Sequence, residues 1–381
     1  MILTVTPNPS LDRTYEVPAL DRGEVLRATA ERMDPGGKGV NVSRAVAAAG
    51  RRTVAVLPLG GAPGALVAEL LAEQGIEVVP VPVAGATRSN IALAEPDGTL
   101  TKINAPGPEL TAAESEALLS TIRERISATG ARPDASGADS PGRAAVGADT
   151  AGADTAGAEA AGVEAAGAER GAPGMSAPER GAPRRGAPGA EASAPTWIAC
   201  CGSLPRGLAP EWYAELVARA HRAGARIALD TSGPSLLAAL RERPDVVKPN
   251  AEELAEAVGR PLTTVGDAVK AAEELRAYGA GAVLASLGAD GQLLVSAEGT
   301  YFGSAPVASV RSNVGAGDAS LAGFLAAGGE GPAALASAVA HGAAAVQLPG
   351  SVMPSPGDLD PSAVTVTADV PLDRPLTEPA P

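Results

Sequence analysis

Val310-Arg-Ser-Asn-Val-Gly-Ala-Gly-Asp-Ala-Ser320 is the stretch on which the reading of this chain turns. The apolar run Ala305–Val310 before it predicts a short strand, and Ala319–Ala327 after it predicts a helix. The turn between them carries Gly315 and Gly317, so backbone N–H groups can converge on an anion at the helix N-terminus. Asp318 then falls in the first helical turn, beside any phosphate held there. A carboxylate next to bound phosphate raises the electrostatic energy, which suits a base taking a proton from an attacking hydroxyl. An acidic residue also starts helices routinely, so the stretch alone leaves both readings open.

Outward from this turn, the chain alternates helical patterns with short apolar runs. Lys38–Ala49, Ala65–Gln74 and Glu211–Ala223 have helical periodicity, and Thr53–Leu57, Thr196–Cys200, Arg226–Leu229, Val246–Val247 and Ala282–Ser286 read as strands. Such alternation predicts an α/β fold with a mostly parallel sheet covered on both faces. Asp12–Val17, and Ser89–Glu95 joined to Thr99–Asn104 through Pro96-Asp97-Gly98, predict a small antiparallel β flap beside it.

Composition bounds the rest. The chain has 381 residues, 45% of them hydrophobic but only 2% aromatic, so the core is expected to be aliphatic and rich in small residues. A net charge of −14 argues against a nucleic-acid surface, and no apolar run approaches the ~20 residues of a membrane span. The start Met1–Thr6 shows no basic leader, and the two cysteines, Cys200 and Cys201, are adjacent and cannot staple distant segments. A cytoplasmic protein is expected. From 129 to 195, Gly-Ala-Asp-Thr and Arg-Gly-Ala-Pro units recur with almost no branched or aromatic residues, which predicts a disordered insertion. The Pro- and Asp-rich stretch 363–381 is expected to be a flexible tail, leaving 1–128 and 196–362 as a single folded domain.

A second glycine-rich helix entry, Gly36-Gly-Lys-Gly-Val-Asn41, offers Lys38 and Asn41 at a helix start, without the spacing of a Walker A loop. With it, Thr6-Pro-Asn-Pro-Ser-Leu-Asp12, Cys201-Gly-Ser-Leu-Pro205, Lys248-Pro-Asn250, Ser286-Leu-Gly-Ala-Asp-Gly291 and Val314-Gly-Ala-Gly-Asp318 occur in a fixed order. The set resembles the PfkB/ribokinase family of sugar kinases over about 1–128 and 196–360. The Asn8–Asp12 opening and Thr87-Arg-Ser-Asn90 are similar to its sugar-phosphate branch.

The resemblance implies a ribokinase-like three-layer α/β/α sandwich and ATP-dependent phosphorylation of D-fructose 1-phosphate to fructose 1,6-bisphosphate. Tagatose 6-phosphate, another sugar, or a catalytically silent sugar-phosphate sensor are the alternatives. It implies Asp318 as the base and Gly315, Ala316 and Gly317 as donors to the transferred phosphoryl group. Asp12, Gly37, Lys38, Asn41, Arg88 and Asn90 would face the sugar phosphate, Arg88 able to grip phosphate with two donors. Lys248, Asn250, Ser286, Leu287, Gly288, Ala289, Asp290, Gly291 and Gly317 would line the ATP site. Asn250 and Glu253 would hold Mg2+ through water, though a helix cap followed by acidic residues has the same appearance. Apolar flap residues Ile91, Leu93 and Ile103 suggest a homodimer packed through the flap.

Overall fold

The structure is a computed structural model and describes residues 1–130 and 197–380. The insertion expected over 129–195 lies outside the described residues, apart from its first two, which end the helix Ala112–Gly130. In chain order the strands are β1 Ile2–Val5, β2 Ser10–Glu16, β3 Ala30–Gly36, β4 Thr53–Leu59, β5 Glu77–Pro82, β6 Arg88–Ala94, β7 Leu100–Ile103 and β8 Trp197–Cys201. They continue as β9 Arg226–Asp230, β10 Val246–Val247, β11 Leu262–Thr264, β12 Ala282–Ser286, β13 Gln292–Ser296, β14 Gly299–Ser304, β15 Thr365–Thr367 and β16 Pro375–Ala380. The helices are α1 Lys38–Ala48, α2 Gly61–Glu73, α3 Ala112–Gly130, α4 Trp212–Arg222, α5 Gly233–Leu240, α6 Ala251–Val258, α7 Val265–Tyr278, α8 Ala316–Ala326 and α9 Gly331–Ala345.

Ten strands form one sheet in the order β15-β14-β13-β12-β10-β9-β8-β1-β4-β5. The seven from β12 to β5 pair in parallel, and β13, β14 and β15 extend the sheet antiparallel. The central strands read as continuous apolar runs because both faces are covered. On β8, Ile198 and Cys200 point into one core with α3–α7, while Trp197, Ala199 and Cys201 point into the other with α1, α8 and α9. Parallel register keeps each layer apolar, as Leu3 lies opposite Ile198 and Ile198 opposite Ile227. Small alanines on α8 and α9 let the two helices pack closely on the sheet.

The chain leaves β1 toward β4 and β5 and later returns to β8 on the other side of β1, which makes the carboxyl edge near β1 a switch point. Over that edge stands a second sheet of order β3-β2-β6-β7. The expected hairpin is present, with Glu95 N–H on Thr99 O and Gly98 at φ 92. Within this flap β2–β3 and β6–β7 are antiparallel, and β2–β6 is parallel. Strand β3 was not foreseen from its polar sequence Ala-Glu-Arg-Met-Asp-Pro-Gly, and its proline is tolerated because β3 is an edge strand.

Two sequence expectations need correction. The strand expected at Ala305–Val310 lies earlier, as β14, and 305–315 is irregular; Pro306 can donate no ladder bond. The stretch 363–381, expected to be a flexible tail, contains β15 on β14 and β16 on β11. Its apolar residues carry the attachment: Leu376 is buried, Val370 packs on the same core, and Val364 and Val366 pack on the opposite one. Its carbonyls also serve α7: Val265 N–H donates to Arg374 O and Gly266 N–H to Leu372 O, filling donors that a helix start leaves open. No helix among the described residues is long and apolar enough to cross a membrane.

Candidate active site

The carboxyl edge of the parallel strands gathers charged side chains that the sequence spreads over 280 positions. Asp230 ends β9 and is 1% exposed. Its Oδ1 accepts from Lys38 Nζ at 2.7 Å, and its Oδ2 lies 3.1 Å from Lys248 Nζ. Lys38, at the first position of α1, also donates to Glu253 Oε1 at 3.2 Å. Burial opposes the charges of Asp230, Lys38 and Lys248, and their mutual pairing overrides it. Asp230 is held below the ordinary carboxylate range by Lys248 and Lys38, and both ammonium groups are held above the ordinary lysine range chiefly by Asp230.

Asp318 sits in the first turn of α8 and is buried. Burial pushes its carboxyl up to about 6, with a further push from the charge of Asp230, against the hydrogen bond from Asn41 and the attraction of Lys248 and Lys38. Such a group is a carboxylate at neutral pH that can still take a proton readily. Asn41 Nδ2 donates to Asp318 Oδ2 at 2.9 Å. Gly315 caps α8 at φ 79, a conformation that favours glycine, and a Cβ there would fall 2.8 Å from Met353 Cε. The first intrahelical bond of α8 is Ala319 N–H to Gly315 O, so the N–H groups of Ala316, Gly317 and Asp318 precede the ladder. Lys248 lies under this turn, its Nζ 3.2 Å from where a Gly317 Cβ would be. Such a turn can receive an anion, with a carboxylate at its rim and a cation beneath it.

The flap supplies the facing wall. Asp12 Oδ1 accepts from Ser10 Oγ at 2.7 Å and from Asn90 Nδ2 at 2.9 Å, leaving Oδ2 for a ligand hydroxyl. Its approach requires Gly36, where a Cβ would overlap the carboxylate. Gly37, at φ 114, caps α1 and lies on Thr6. A cavity of about 690 Å³ between Asp12, Asn90 and Arg32 of the flap and Ser312 and Val314 before the cradle has room for a sugar phosphate. Arg88 is held on two backbone carbonyls, its guanidinium donating to Asn8 O at 2.9 Å and Ala105 O at 3.1 Å. Nε of Arg88 is buried with no hydrogen-bond partner.

The Lys248-Pro-Asn250 and Ser286–Gly291 motifs meet at the same edge, where Ser286 N–H donates to Pro249 O and Asn250 bridges Ser286. Asn250 and Glu253 form a reciprocal capping box at the start of α6. Leu287, Gly288, Ala289 and Asp290 turn tightly before Gly291, and the Asp290 carboxylate bonds the C-terminal strand. A second hollow of about 350 Å³ lies between Ala305–Ala308 and the α9 residues Ala340, Ala343 and Ala344.

Sequence reasoning missed Asp230, the hub of the lysine pairs; its signal was an acid ending a strand and followed by Thr-Ser-Gly. It also missed Arg44, which is 9% exposed and stands behind Asn41. Cys201 is fully buried beside the cluster, and burial, then Asp230 and Asp318, push its thiol far above the ordinary range, so it is protonated. His221 pairs with Asp245 and His341 with Ser337 O of its own helix.

The sequence and the fold are similar to those of known proteins. The family described as pfkB family carbohydrate kinase matches residues 6–128 and 189–357. A 1-phosphofructokinase of Rhodobacter capsulatus is 34% identical over 325 residues, 85% of this chain and 82% of that protein. An ATP-dependent 6-phosphofructokinase isozyme 2 of Mycobacterium tuberculosis is 31% identical, covering 84% and 76%. The crystal structure of phosphofructokinase-2 from Escherichia coli in complex with fructose-6-phosphate superposes with a TM-score of 0.71 at 28% identity, covering 94% of this chain and 96% of that one.

Proposed function

The chain belongs to the pfkB family of carbohydrate kinases and is a sugar-phosphate phosphotransferase, and we propose that its acceptor is D-fructose 1-phosphate and its donor ATP. The observation that carries the catalytic reading is Asp318, buried at the rim of the α8 cradle with Asn41 on its Oδ2. The acceptor hydroxyl gives its proton to Asp318 as its oxygen bonds the γ-phosphorus, and the bond to the ADP oxygen breaks. N–H groups of Ala316, Gly317 and Asp318, with Lys248 beneath them, hold the charge that spreads over the transferred group.

Asp12 Oδ2 and Asn41 take sugar hydroxyls, and Asn90 orients Asp12. Lys38 retains one of its three N–H donors beyond Asp230 and Glu253, and that donor serves a phosphate oxygen. Arg88, fixed on two backbone carbonyls, presents its remaining N–H groups to the substrate phosphate. The Ser286–Gly291 turn takes the nucleotide phosphates, and the small-residue hollow beside α9 takes the base.

Among the described residues no three histidine, cysteine or acidic side chains cluster as an all-protein metal cage would. Glu253 already accepts from Lys38 and from Asn250 N–H. That donor set fits a hydrated Mg2+ held through water by Asn250 and Glu253 together with nucleotide phosphates. When bound, the ion neutralises phosphate charge. An ATP-dependent reaction and two free buried thiols suit the cytoplasm.

Two chains dimerise through the flap, where Ile103 of β7 is 59% exposed and Ile91 and Leu93 of β6 are half-buried. ADP release measured side by side on fructose 1-phosphate, fructose 6-phosphate and tagatose 6-phosphate tests the acceptor. The highest kcat/KM on fructose 1-phosphate supports the proposal, and a higher value on either of the others overturns it.

A further inference from the structure

Asp290 belongs to the Ser286–Gly291 motif, yet its carboxylate is 2% exposed and engaged by the C-terminal segment. Oδ1 accepts from Thr377 Oγ1 at 2.9 Å and from the Arg374 guanidinium at 3.1 Å, and Oδ2 accepts from Thr377 N–H at 2.6 Å. A carboxylate aimed at nucleotide phosphates would repel them. Paired with Arg374, this one is neutralised.

The turn joins β12 to β13, where Ser286 lies opposite Gln292, and Leu287 buries its side chain in the larger core. Gly288 and Gly291 lie at φ 58 and 124, which other residues adopt only under strain, and the internal bonds are Leu287 N–H to Gly291 O and Asp290 N–H to Leu287 O. The segment that grips it is anchored independently. It pairs through β15 and β16, serves the N-terminal donors of α7, and buries Leu376 in the larger core. The family match ends at residue 357, so this grip lies in a part of the chain beyond that match. The turn in turn abuts Asn250, at the head of the helix that carries Glu253 to Lys38.

We propose that residues 365–377 are a clamp that sets the Gly288–Gly291 turn for nucleotide binding, with Asp290 as its handle and Arg374 and Thr377 as positioning residues. The inference rests on the reading of that turn as the nucleotide phosphate site. It assigns Asp290 no contact with nucleotide. ATP affinity then depends on side chains more than 80 residues further along the chain.

Thr377→Val, which keeps the backbone donor, Arg374→Met and the double variant test this in the full-length chain. Loss of positioning raises KM for ATP by about tenfold in the double variant, with kcat at saturating ATP and KM for the sugar phosphate within about twofold. Hydrogen exchange with and without a non-hydrolysable ATP analogue separates the two layers of the inference. Protection of residues 286–291 in the unmodified chain, reduced in the variants, supports the clamp. Protection that persists unchanged in variants with an unchanged KM for ATP overturns it. Absence of protection in the unmodified chain overturns the nucleotide reading of the turn, and the clamp with it. Should the double variant lose its cooperative melt, Thr377→Val alone carries the same comparison.

Discussion

Asn41, on the first turn of α1, donates its side-chain amide to Oδ2 of Asp318, on the first turn of α8, at 2.9 Å. The amide is oriented from behind by Arg44, whose guanidinium reaches Asn41 Oδ1 at 3.5 Å, Ser351 Oγ at 3.4 Å and Gln74 Oε1 at 3.0 Å. One orientation of the amide satisfies both neighbours, oxygen toward Arg44 and nitrogen toward Asp318.

This bond lowers the proton affinity of Asp318, whereas burial and the Asp230 charge raise it to about 6. Activity requires the carboxylate, so kcat/KM should fall about tenfold per pH unit below an acid limb near 6. Asn41→Ala removes the lowering contribution and moves that limb to higher pH. A pH–rate profile of the two proteins checks the direction of the shift.

Asp230 is the common partner of two lysines, and Lys248 is buried as well. Asp230→Ala leaves that ammonium unpaired in the interior and should cost about 3–5 kcal/mol, read from chemical denaturation. Burial opposes the folded carboxylate, but Lys248 and Lys38 hold it below its ordinary range. Its contribution is therefore complete above the ordinary carboxylate range and is lost as the pH falls through the lowered value.

Much of this site was legible in the chain because its parts lie in local motifs: a glycine pair, then Lys38 and Asn41 at one helix start, and Gly315 to Asp318 at another. Local spacing says which residues begin a helix. It does not say which side chains meet across the sheet. Asp230 becomes a hub through strand order alone, with β9 between β8 and β10 at the carboxyl edge. The same limit hid the C-terminal strands, whose prolines suggest fraying until β11, β14 and the start of α7 are there to receive them. Strand β3 was hidden by its polar sequence, since an exposed edge strand carries no apolar alternation.

Gly315 holds the cradle open at φ 79. Gly315→Ala meets Met353 Cε at 2.8 Å and adds about 1–2 kcal/mol of left-handed backbone strain. The expected outcome is a lowered melting temperature together with a reduced kcat, because the N–H groups that follow lose their aim. Thermal melts and steady-state rates on one preparation check both.

Ile103 stands 59% exposed on the outer flap strand. Ile103→Asp should convert a dimeric protein into a monomer at micromolar concentration, as read by light scattering. A monomeric mass for the unmodified protein would contradict the flap interface.

Asp318→Asn tests the central claim most directly. The substitution keeps the size and the buried position of the side chain and removes its capacity to accept the hydroxyl proton. ADP formation with fructose 1-phosphate should fall by about 10²–10⁴-fold while fructose 1-phosphate and ATP still bind. Turnover near that of the unmodified enzyme would contradict the assignment of Asp318 as the base.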